Sequence, residues 1–272
     1  MKFALVGDDH YFECFKVFVS KGYTLVGAWL SERDNVYSSN KKIRKLCEHV
    51  NAPILGNKVE NSDLQKLIDE QGLELLIVGM HAHKIPVDCL PKYHFNIHPS
   101  PLPEGRGAEP VPGSILRNQT KSGVTFHKLT DKFDEGDILI QQEWPLENTD
   151  THDTLTIKNI IAATQMADKL TADFEHHWQN ATPQTGGSYW QKKSLTDREI
   201  NWNMSVDEID TMVRAYGRYG VNVKIHGKLT QIKSALCWKQ EHNFEPGHII
   251  SGYMRDIAFA CKDGFVCLSQ ST

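Results

Sequence analysis

The first 100 residues alternate between compact apolar runs and stretches with apolar residues at helical spacing. The runs predict buried strands, the stretches predict amphipathic helices, and their strict alternation predicts a parallel sheet with right-handed crossovers. Strands are expected at 3–6, 24–30, 52–55 and 73–78, and helices at 11–20, 41–50 and 62–71, the last opened by Ser62 as N-cap. Ligands bind beyond the carboxyl ends of the strands in such sheets, so those segments are the first candidates for a site.

After residue 100 the regular alternation stops. The expected elements are a loop at 101–107, a helix at 108–118, strands at 123–129 and 138–144 around an acidic loop, and one long amphipathic helix at 154–179. The segment 180–189 is rich in Thr, Gly, Pro and Gln, which is typical of a linker. A domain boundary is therefore expected near residue 188.

The remaining tail predicts a helix followed by short strands. The helix is expected at 206–215 and the strands at 221–225, 230–236, 248–251, 257–260 and 266–268. Short strands with turns between them favour a small, barrel-like β unit. The sequence thus predicts an α/β protein with a parallel-sheet domain at 1–188 and an accessory, β-rich C-terminal domain at 189–272.

Composition narrows the class of protein. Hydrophobic residues make up 40% of the 272 residues and charged residues 24%, which is ordinary for a globular protein. The net charge of -4 gives no basic excess for a dedicated nucleic-acid binder. The six cysteines form no CxxC pair, and neither a signal peptide nor an apolar run of about 18 residues is present. We therefore expect a reduced, cytoplasmic protein without a membrane span.

The strongest chemical pattern lies where the strand after residue 90 ends. Asn96 and His98 are two residues apart, so they share one face of a strand that Pro99 terminates. Asp134 lies in the acidic loop between the next two strands. An amide can donate to an oxyanion, an imidazole can move a proton, and a carboxylate can orient the imidazole. Any one of these residues alone is more often a packing or turn device, but together they suit acyl transfer to an amine.

Three separated motifs resemble the folate-dependent formyltransferases, a family that includes methionyl-tRNA formyltransferase and the sugar N-formyltransferases. They read Asn96-x-His98-Pro99-Ser100-x-Leu102-Pro103-x-x-Arg106-Gly107, then Gly123-Val124-Thr125-x-His127, then Asp134-x-Gly136-Asp137-Ile138-Leu139. The resemblance covers residues 1 to about 180 and continues more weakly in the tail. There Asn201 replaces the family's usual Asp, and the segment 217–220 lacks its usual proline.

The resemblance implies a Rossmann-like catalytic domain, N10-formyltetrahydrofolate as co-substrate and no metal. It assigns catalysis to Asn96, His98 and Asp134, with the first two stabilising an oxyanion and the third keeping His98 poised. By analogy, the folate-binding residues are Met80, His81, Ala82, Ile85, Thr130 and Asp131, and the acceptor-binding residues are Ser100, Glu104, Arg106 and Gly107. His81 and His83 could also suggest a metal site, but no third ligand has matching spacing.

The acceptor amine is the least specified feature. A nucleotide-linked amino sugar fits best, because the chain is acidic and the tail resembles accessory domains that form homodimers in the sugar enzymes. Alternatives are an initiator tRNA, another small amine, hydrolysis of formyl folate without an acceptor, and a catalytically silent folate-binding regulator. We expect a small-molecule partner, a homodimer through the C-terminal domain, and neither a membrane nor a nucleic acid.

Overall fold

The computed structural model describes residues 1–31, 40–194, 196–253 and 256–269. The chain divides into two compact units that are each discontinuous in sequence. Unit 1 contains Met1–Gly107, Ser122–Trp144 and Ile157–Tyr189, and unit 2 contains Ala108–Lys121, Pro145–Thr156 and Trp190–Thr272. The contiguous domains predicted from the sequence, 1–188 and 189–272, stay a prediction.

Thirteen strands lie in the described residues. They are β1 (Lys2–Gly7), β2 (Thr24–Leu30), β3 (Ile54–Gly56), β4 (Leu75–Gly79), β5 (Tyr93–His98), β6 (Lys121–Lys128), β7 (Ile138–Pro145), β8 (Val221–Ile225), β9 (Lys228–Ile232), β10 (Ala235–Lys239), β11 (Ile249–Tyr253), β12 (Asp256–Cys261) and β13 (Gly264–Ser269). The strand predicted at 230–236 is wrong as one element: the chain bends at Lys233 and leaves the strand until Ala235, so its two halves belong to β9 and β10.

Seven α-helices accompany them in the described residues. They are α1 (Phe12–Ser20), α2 (Lys41–Val50), α3 (Asn61–Gln71), α4 (Pro110–Leu116), α5 (His152–Ala172), α6 (Phe174–Gln179) and α7 (Val206–Tyr216). The single helix predicted at 154–179 is wrong, because Asp173 leaves the helical region (φ -148°, ψ 64°) and separates α5 from α6. Ser62 lies inside the first turn of α3, whose N-cap is Glu60. No helix of the described residues is long and apolar enough to cross a membrane.

A seven-stranded sheet forms the centre of unit 1, in the order β3-β2-β1-β4-β5-β6-β7. The first five strands in that order run parallel, and β6 pairs antiparallel with β5. This confirms the mostly parallel α/β class predicted from the sequence. The polar end of β5, which carries the candidate chemistry, lies inside the sheet with a strand on either side.

Both faces of the sheet are buried at β1, β2 and β4, which explains why these strands read as continuous apolar runs. On β1, Phe3 and Leu5 belong to one core cluster and Ala4 and Val6 to the other, and all four side chains are fully buried. Burial on both sides fixes the register of each strand, since a slip by one residue would exchange its two faces. The strand ends are therefore held firmly, which is what a site at those ends requires.

Unit 2 confirms the predicted β-rich C-terminal region. It contains a four-stranded sheet in the order β10-β13-β12-β11 and a two-stranded sheet of β8 and β9. Helix α7 begins with a capping box in which the Ser205 hydroxyl accepts from the Glu208 N–H and the Glu208 carboxylate accepts from the Ser205 N–H. The ring of Trp202 stacks on Phe259 with centroids 4.4 Å apart, so this tryptophan packs against the C-terminal sheet.

A buried ion pair lies at the centre of unit 2. Arg198 Nη2 donates to Glu109 Oε1 at 2.6 Å, and both residues are less than 9% exposed. The other carboxylate oxygen of Glu109 accepts from the Tyr216 hydroxyl at 2.9 Å and from the Lys193 N–H at 3.0 Å. The carboxylate is thus fully bonded, and removal of its charge would leave the guanidinium without a partner of opposite sign.

We expect Glu109→Gln to lower the free energy of unfolding by about 3 to 5 kcal/mol, because it leaves the buried charge of Arg198 without a partner of opposite sign. The control is Lys224→Gln, which breaks an exposed ion pair of unit 2 with Glu199 at 2.8 Å and should cost ~1 kcal/mol or less. Urea unfolding followed by tryptophan fluorescence measures both values. Equal midpoints for the two variants would contradict a central role for the buried pair.

Candidate active site

Strand β5 delivers two polar side chains to one face at its carboxyl end. Asn96 pairs with His127 of β6 and His98 pairs with Thr125, so the alternation of the strand places Asn96, His98 and His127 together. His98 is 5% exposed and His127 is 2% exposed. The site is therefore built on a paired, buried strand rather than on a loose loop.

Asp134 reaches this face from the loop between β6 and β7. Its Oδ1 lies 3.5 Å from His98 Nδ1 and 3.5 Å from Asn96 Nδ2. Its Oδ2 accepts a hydrogen bond from the Gly107 N–H at 2.9 Å. The structure thus brings together all three residues that the sequence singled out as catalytic.

The shape of the Asp134 loop explains how an exposed turn delivers a buried carboxylate. Asp134 adopts a left-handed conformation with φ of 59°, which Asp tolerates better than most residues. Two residues later, a Cβ on Gly136 would lie 1.9 Å from the Lys128 carbonyl oxygen. Only glycine allows this close approach, and Lys128 N–H closes the loop by donating to Asp137 O at 2.9 Å.

Backbone carbonyls fix the tautomers of the two histidines. His98 Nε2 lies 2.8 Å from Gly105 O, and a carbonyl only accepts, so this nitrogen carries the hydrogen. His127 Nδ1 donates to Lys128 O at 2.9 Å for the same reason, which leaves His127 Nε2 to accept from Asn96 Nδ2 at 3.2 Å. In its neutral form His98 therefore presents an unprotonated Nδ1 to Asp134.

Burial and charge set the protonation of this cluster. Burial lowers the pKa of His98 below its ordinary value, and the carboxylate of Asp134 offsets only part of that effect. Burial alone would raise the pKa of Asp134, but His98, His127 and the Gly107 N–H together hold it well below its usual range. At neutral pH the cluster therefore contains an ionised carboxylate beside a neutral imidazole.

The predicted folate-binding residues lie in two segments. Met80, His81, Ala82 and Ile85 follow β4, where Met80 has a left-handed φ of 59° and Ile85 is buried in the core. Ser31 Oγ lies 3.1 Å from His81 Nδ1, whereas the buried His81 Nε2 has no hydrogen-bond partner within the described residues. Burial, and next the neighbouring His83, lower the pKa of His81 to about 4.

The second segment, after β6, contains Thr130 and Asp131. Both are exposed, and the Thr130 hydroxyl donates to Lys132 O at 2.9 Å. Leu129 N–H donates to His94 Nδ1 at 3.2 Å, which places the start of this loop opposite the first residues of β5. Within this loop it is Asp134, rather than Thr130 or Asp131, whose side chain contacts Asn96 and His98.

The predicted acceptor-binding residues lie in the loop after β5. Ser100 is buried and its hydroxyl donates to Glu104 O at 2.7 Å, inside the loop itself. The exposed Glu104 carboxylate accepts from the Ser188 hydroxyl. Arg106 donates through Nε and Nη2 to Gln184 Oε1, at 3.0 and 2.8 Å, and Gly107 binds Asp134 as described above. Their role toward an acceptor stays a prediction.

The segment 180–189, interpreted from its composition as a linker, instead packs along the site. Thr182 forms an isolated bridge with Ile138, and Tyr189 forms one with Arg106. The amide of Gln184 donates to Asp134 O at 2.9 Å and to Gly136 O at 2.7 Å. Periodicity could not reveal these contacts, because they join a non-repetitive segment to loops about 50 and 80 residues earlier.

No group of three His, Cys, Asp or Glu side chains that could hold a metal ion occurs among the residues that the structure describes. His81 and His83 lie with ring centroids 5.4 Å apart in an edge contact.

Sequence relatives are methionyl-tRNA formyltransferases. The enzyme of Rickettsia rickettsii (strain Iowa) is 27% identical over 212 residues, which are 76% of this chain and 69% of the relative. The enzyme of Pseudothermotoga lettingae is 25% identical over 259 residues, which are 93% and 84% of the two chains.

Solved structures share the fold at lower identity. The N-formyltransferase of Helicobacter canadensis, in complex with folinic acid and dTDP-3-aminofucose, has a TM-score of 0.74 at 16% identity and covers all of both chains. HypX from Aquifex aeolicus, in complex with tetrahydrofolic acid, has a TM-score of 0.74 at 17% identity; the match spans 98% of this chain and 43% of HypX.

Family models cover most of the sequence. The model described as "Formyl transferase" matches residues 31–171, which is more than half of the chain, and the model described as "Formyl transferase, C-terminal domain" matches residues 193–272. The first match includes Asn96, His98 and Asp134, the residues that meet at the end of β5. The chain belongs to the formyl transferase family.

Proposed function

We propose that this formyltransferase moves a formyl group from N10-formyltetrahydrofolate to the primary amine of a nucleotide-linked amino sugar, with Asn96, His98 and Asp134 as its catalytic residues. The observation that carries the proposal is the meeting of the three side chains within 3.5 Å at the carboxyl end of β5. An amide donor, a neutral base and a fixed carboxylate are the groups that acyl transfer to an amine needs.

The tautomers assign a role to each group. The acceptor's amine attacks the formyl carbon, a new C–N bond forms, and the carbonyl electron pair moves onto oxygen. Asn96 Nδ2 has two hydrogens: one is donated to His127 Nε2, and the other makes only a long 3.5 Å contact with Asp134, so it can turn to the oxyanion. His98 Nδ1 accepts the amine's proton, and the resulting imidazolium faces the Asp134 carboxylate.

Collapse of the tetrahedral species completes the transfer. The oxygen's electron pair re-forms the carbonyl and the bond from carbon to N10 breaks, while the His98 imidazolium returns its proton to N10. His98 thus acts first as base and then as acid. The resemblance implied that His98 stabilises the oxyanion directly, but its Nε2–H is already donated to Gly105 O, so in this proposal only the protonated Nδ1 can donate.

The segment after β4 supports the folate part of the proposal. His81 Nε2 is buried without a partner within the described residues, and a buried polar atom of this kind normally has one. A pterin ring offers donors and acceptors along one edge and would satisfy such a group. The solved neighbours from Helicobacter canadensis and Aquifex aeolicus were crystallised with folates, which supports the same ligand class.

Two observations support a nucleotide-linked sugar as acceptor. The structure matches the Helicobacter canadensis enzyme, crystallised with dTDP-3-aminofucose, over the full length of both chains. Beside the Asp134 loop, the aromatic rings of Phe133 and Tyr189 are about half exposed, at 54% and 50%, and Arg106 lies next to Tyr189. Exposed rings suit stacking on a base, and a guanidinium suits a diphosphate.

Methionyl-tRNA is the second candidate acceptor, because the sequence relatives are named methionyl-tRNA formyltransferases and the match to one of them spans 93% of this chain.

The homodimer expected through the C-terminal domain also stays a prediction. It is supported by the outer face of β10, where Leu236 is 70% exposed and Trp238 is 43% exposed, since large exposed apolar side chains often mark an interface.

Substitution of the three catalytic residues tests the mechanism. We expect Asn96→Ala to lower kcat on the order of 10²- to 10³-fold, through the lost oxyanion donor. His98→Ala and Asp134→Ala should lower it on the order of 10²- to 10⁴-fold. The control, His177→Ala, changes an imidazole on α6 outside the site and should leave kcat unchanged. Near-parental rates in the three variants, with melting temperatures preserved, would refute the mechanism.

An acceptor panel separates the candidate substrates. The purified protein is incubated with N10-formyltetrahydrofolate and, in parallel, with dTDP- and UDP-linked amino sugars, initiator methionyl-tRNA, or no amine, and tetrahydrofolate release is followed. We expect turnover with a nucleotide amino sugar and less than a tenth of that rate in the other arms. Turnover with the tRNA alone would favour the second candidate, and equal rates without any amine would indicate a hydrolase.

The pH dependence tests the protonation states. The pKa of His98 is lowered, and its neutral form is the base. Therefore kcat/KM should be constant around neutral pH and fall only below pH 6.5. Asp134→Asn removes the charge that raises the pKa of His98, so the acid limb of its residual activity should move to still lower pH. A limb that stays in place, or moves upward, would exclude His98 as the base next to Asp134.

A further inference from the structure

One glutamine joins both loops of the active site. Gln184 donates through Nε2 to the carbonyl oxygens of Asp134 and Gly136, and its Oε1 accepts two hydrogen bonds from the Arg106 guanidinium. We propose that Gln184 is a positioning residue that sets the Asp134 carboxylate against His98 and at the same time orients Arg106 toward the acceptor. This inference rests on the function proposed above and deepens it.

The donor side of Gln184 acts on the backbone of the catalytic loop. Asp134 has a left-handed φ of 59°, a conformation that costs free energy unless the surroundings hold it. Gln184 bonds the carbonyl of Asp134 itself at 2.9 Å and that of Gly136 at 2.7 Å. These bonds fix the Asp134–Glu135 and Gly136–Asp137 peptide planes, and hence the direction in which the Asp134 side chain leaves the backbone.

The acceptor side of Gln184 acts on Arg106. Both Nε and Nη2 of the guanidinium point at the same oxygen, Oε1, so the plane of the group is set. The arginine backbone is also held, since its N–H donates to Ser188 O at 3.0 Å. The guanidinium of Arg106 is therefore held in one orientation. The next residue, Gly107, donates its N–H to Oδ2 of the Asp134 carboxylate.

The segment 182–189, which we call the strap, is anchored at both of its ends. At one end, Thr182 and Ile138 exchange two backbone hydrogen bonds of 2.8 Å. At the other end, the Tyr189 hydroxyl donates to Phe133 O at 3.2 Å. Both anchors flank the Asp134 loop, so Gln184 is presented to it from a segment that is itself fixed at each end.

Only an amide of this length can make both sets of bonds. A carboxylate accepts from Arg106 but cannot donate to two carbonyl oxygens, and a thioether does neither. Gln184→Glu therefore keeps the contact with Arg106 and removes the one with the loop, whereas Gln184→Met removes both. The pair of variants separates the two halves of the role.

Because the Asp134 carboxylate lies beside His98, the pKa of His98 reports on the position of the Asp134 loop. The groups that face His98 are the Asp134 carboxylate, which raises its pKa, the His127 ring, which lowers it, and the Gly105 carbonyl, which raises it. If the loop loosens, the carboxylate moves away from the ring and the pKa of His98 falls. A residue with a merely structural role elsewhere would not change this value.

The first experiment is kinetic. We expect Gln184→Glu to lower kcat on the order of 10- to 100-fold with less than a threefold change in the KM of the acceptor. Gln184→Met should lower kcat by a similar factor and also raise that KM. In an Asp134→Asn background the same substitutions should change kcat less than twofold, because they act through Asp134. The control is Thr185→Ala, an exposed neighbour in the strap.

The second experiment needs neither substrate. The pKa of His98 is measured by NMR titration of imidazole-labelled protein, with His98→Gln used to assign the signal. We expect a lower pKa in Gln184→Met than in the parent and in Thr185→Ala, at matched melting temperatures. An unchanged pKa of His98 in Gln184→Met overturns the inference, even if the parent shows no formyl transfer; a parent without transfer but with the expected shift overturns only the proposed function.

Discussion

The structure of the site depends on the burial of one ionised carboxylate. Asp134 leaves water beside a short hydrogen bond from the Gly107 N–H and a longer contact with the Asn96 amide, and the ring of His98 adds a compensating charge when its Nδ1 is protonated. Burial of a charge without such partners would cost several kcal/mol. Strand β5 and the loop after it supply these partners, and the strap bonds the backbone carbonyl of Asp134 through Gln184, so Asp134 ties three distant stretches of sequence to one point.

The same burial divides protonation between two neighbours. His98 and Asp134 both have a pKa below the ordinary value of their type, for opposite reasons: the imidazole loses its charge with its hydration, whereas the carboxylate keeps its charge because donors and rings surround it. A neutral base beside a fixed negative charge can accept a proton at neutral pH and then hold it as an ion pair. The protonation states that proton transfer requires are thus present before any substrate binds.

Local sequence rules predicted the parts of this site that strands control. Asn96 and His98 share a face because strands alternate, and the alternating apolar runs identified the parallel sheet that holds them. The same rules missed Gln184 and the break at Asp173. A glutamine in a non-repetitive segment has no periodic pattern, and its partners lie about 50 and 80 residues away, so only the folded chain reveals them.

In the mechanism proposed above, the three groups act on the formyl group and on a proton of any amine, so one site geometry is compatible with relatives named for tRNA and with a solved neighbour crystallised with a nucleotide sugar. In that mechanism, selectivity for the acceptor arises from residues that do not take part in the chemistry. The residues proposed for that role are Arg106 and Phe133, in the two loops that the strap connects, and Tyr189, in the strap itself. In the positioning role proposed for Gln184, the strap couples the choice of acceptor to the position of the Asp134 carboxylate, because a change in either loop is transmitted to the other through Gln184.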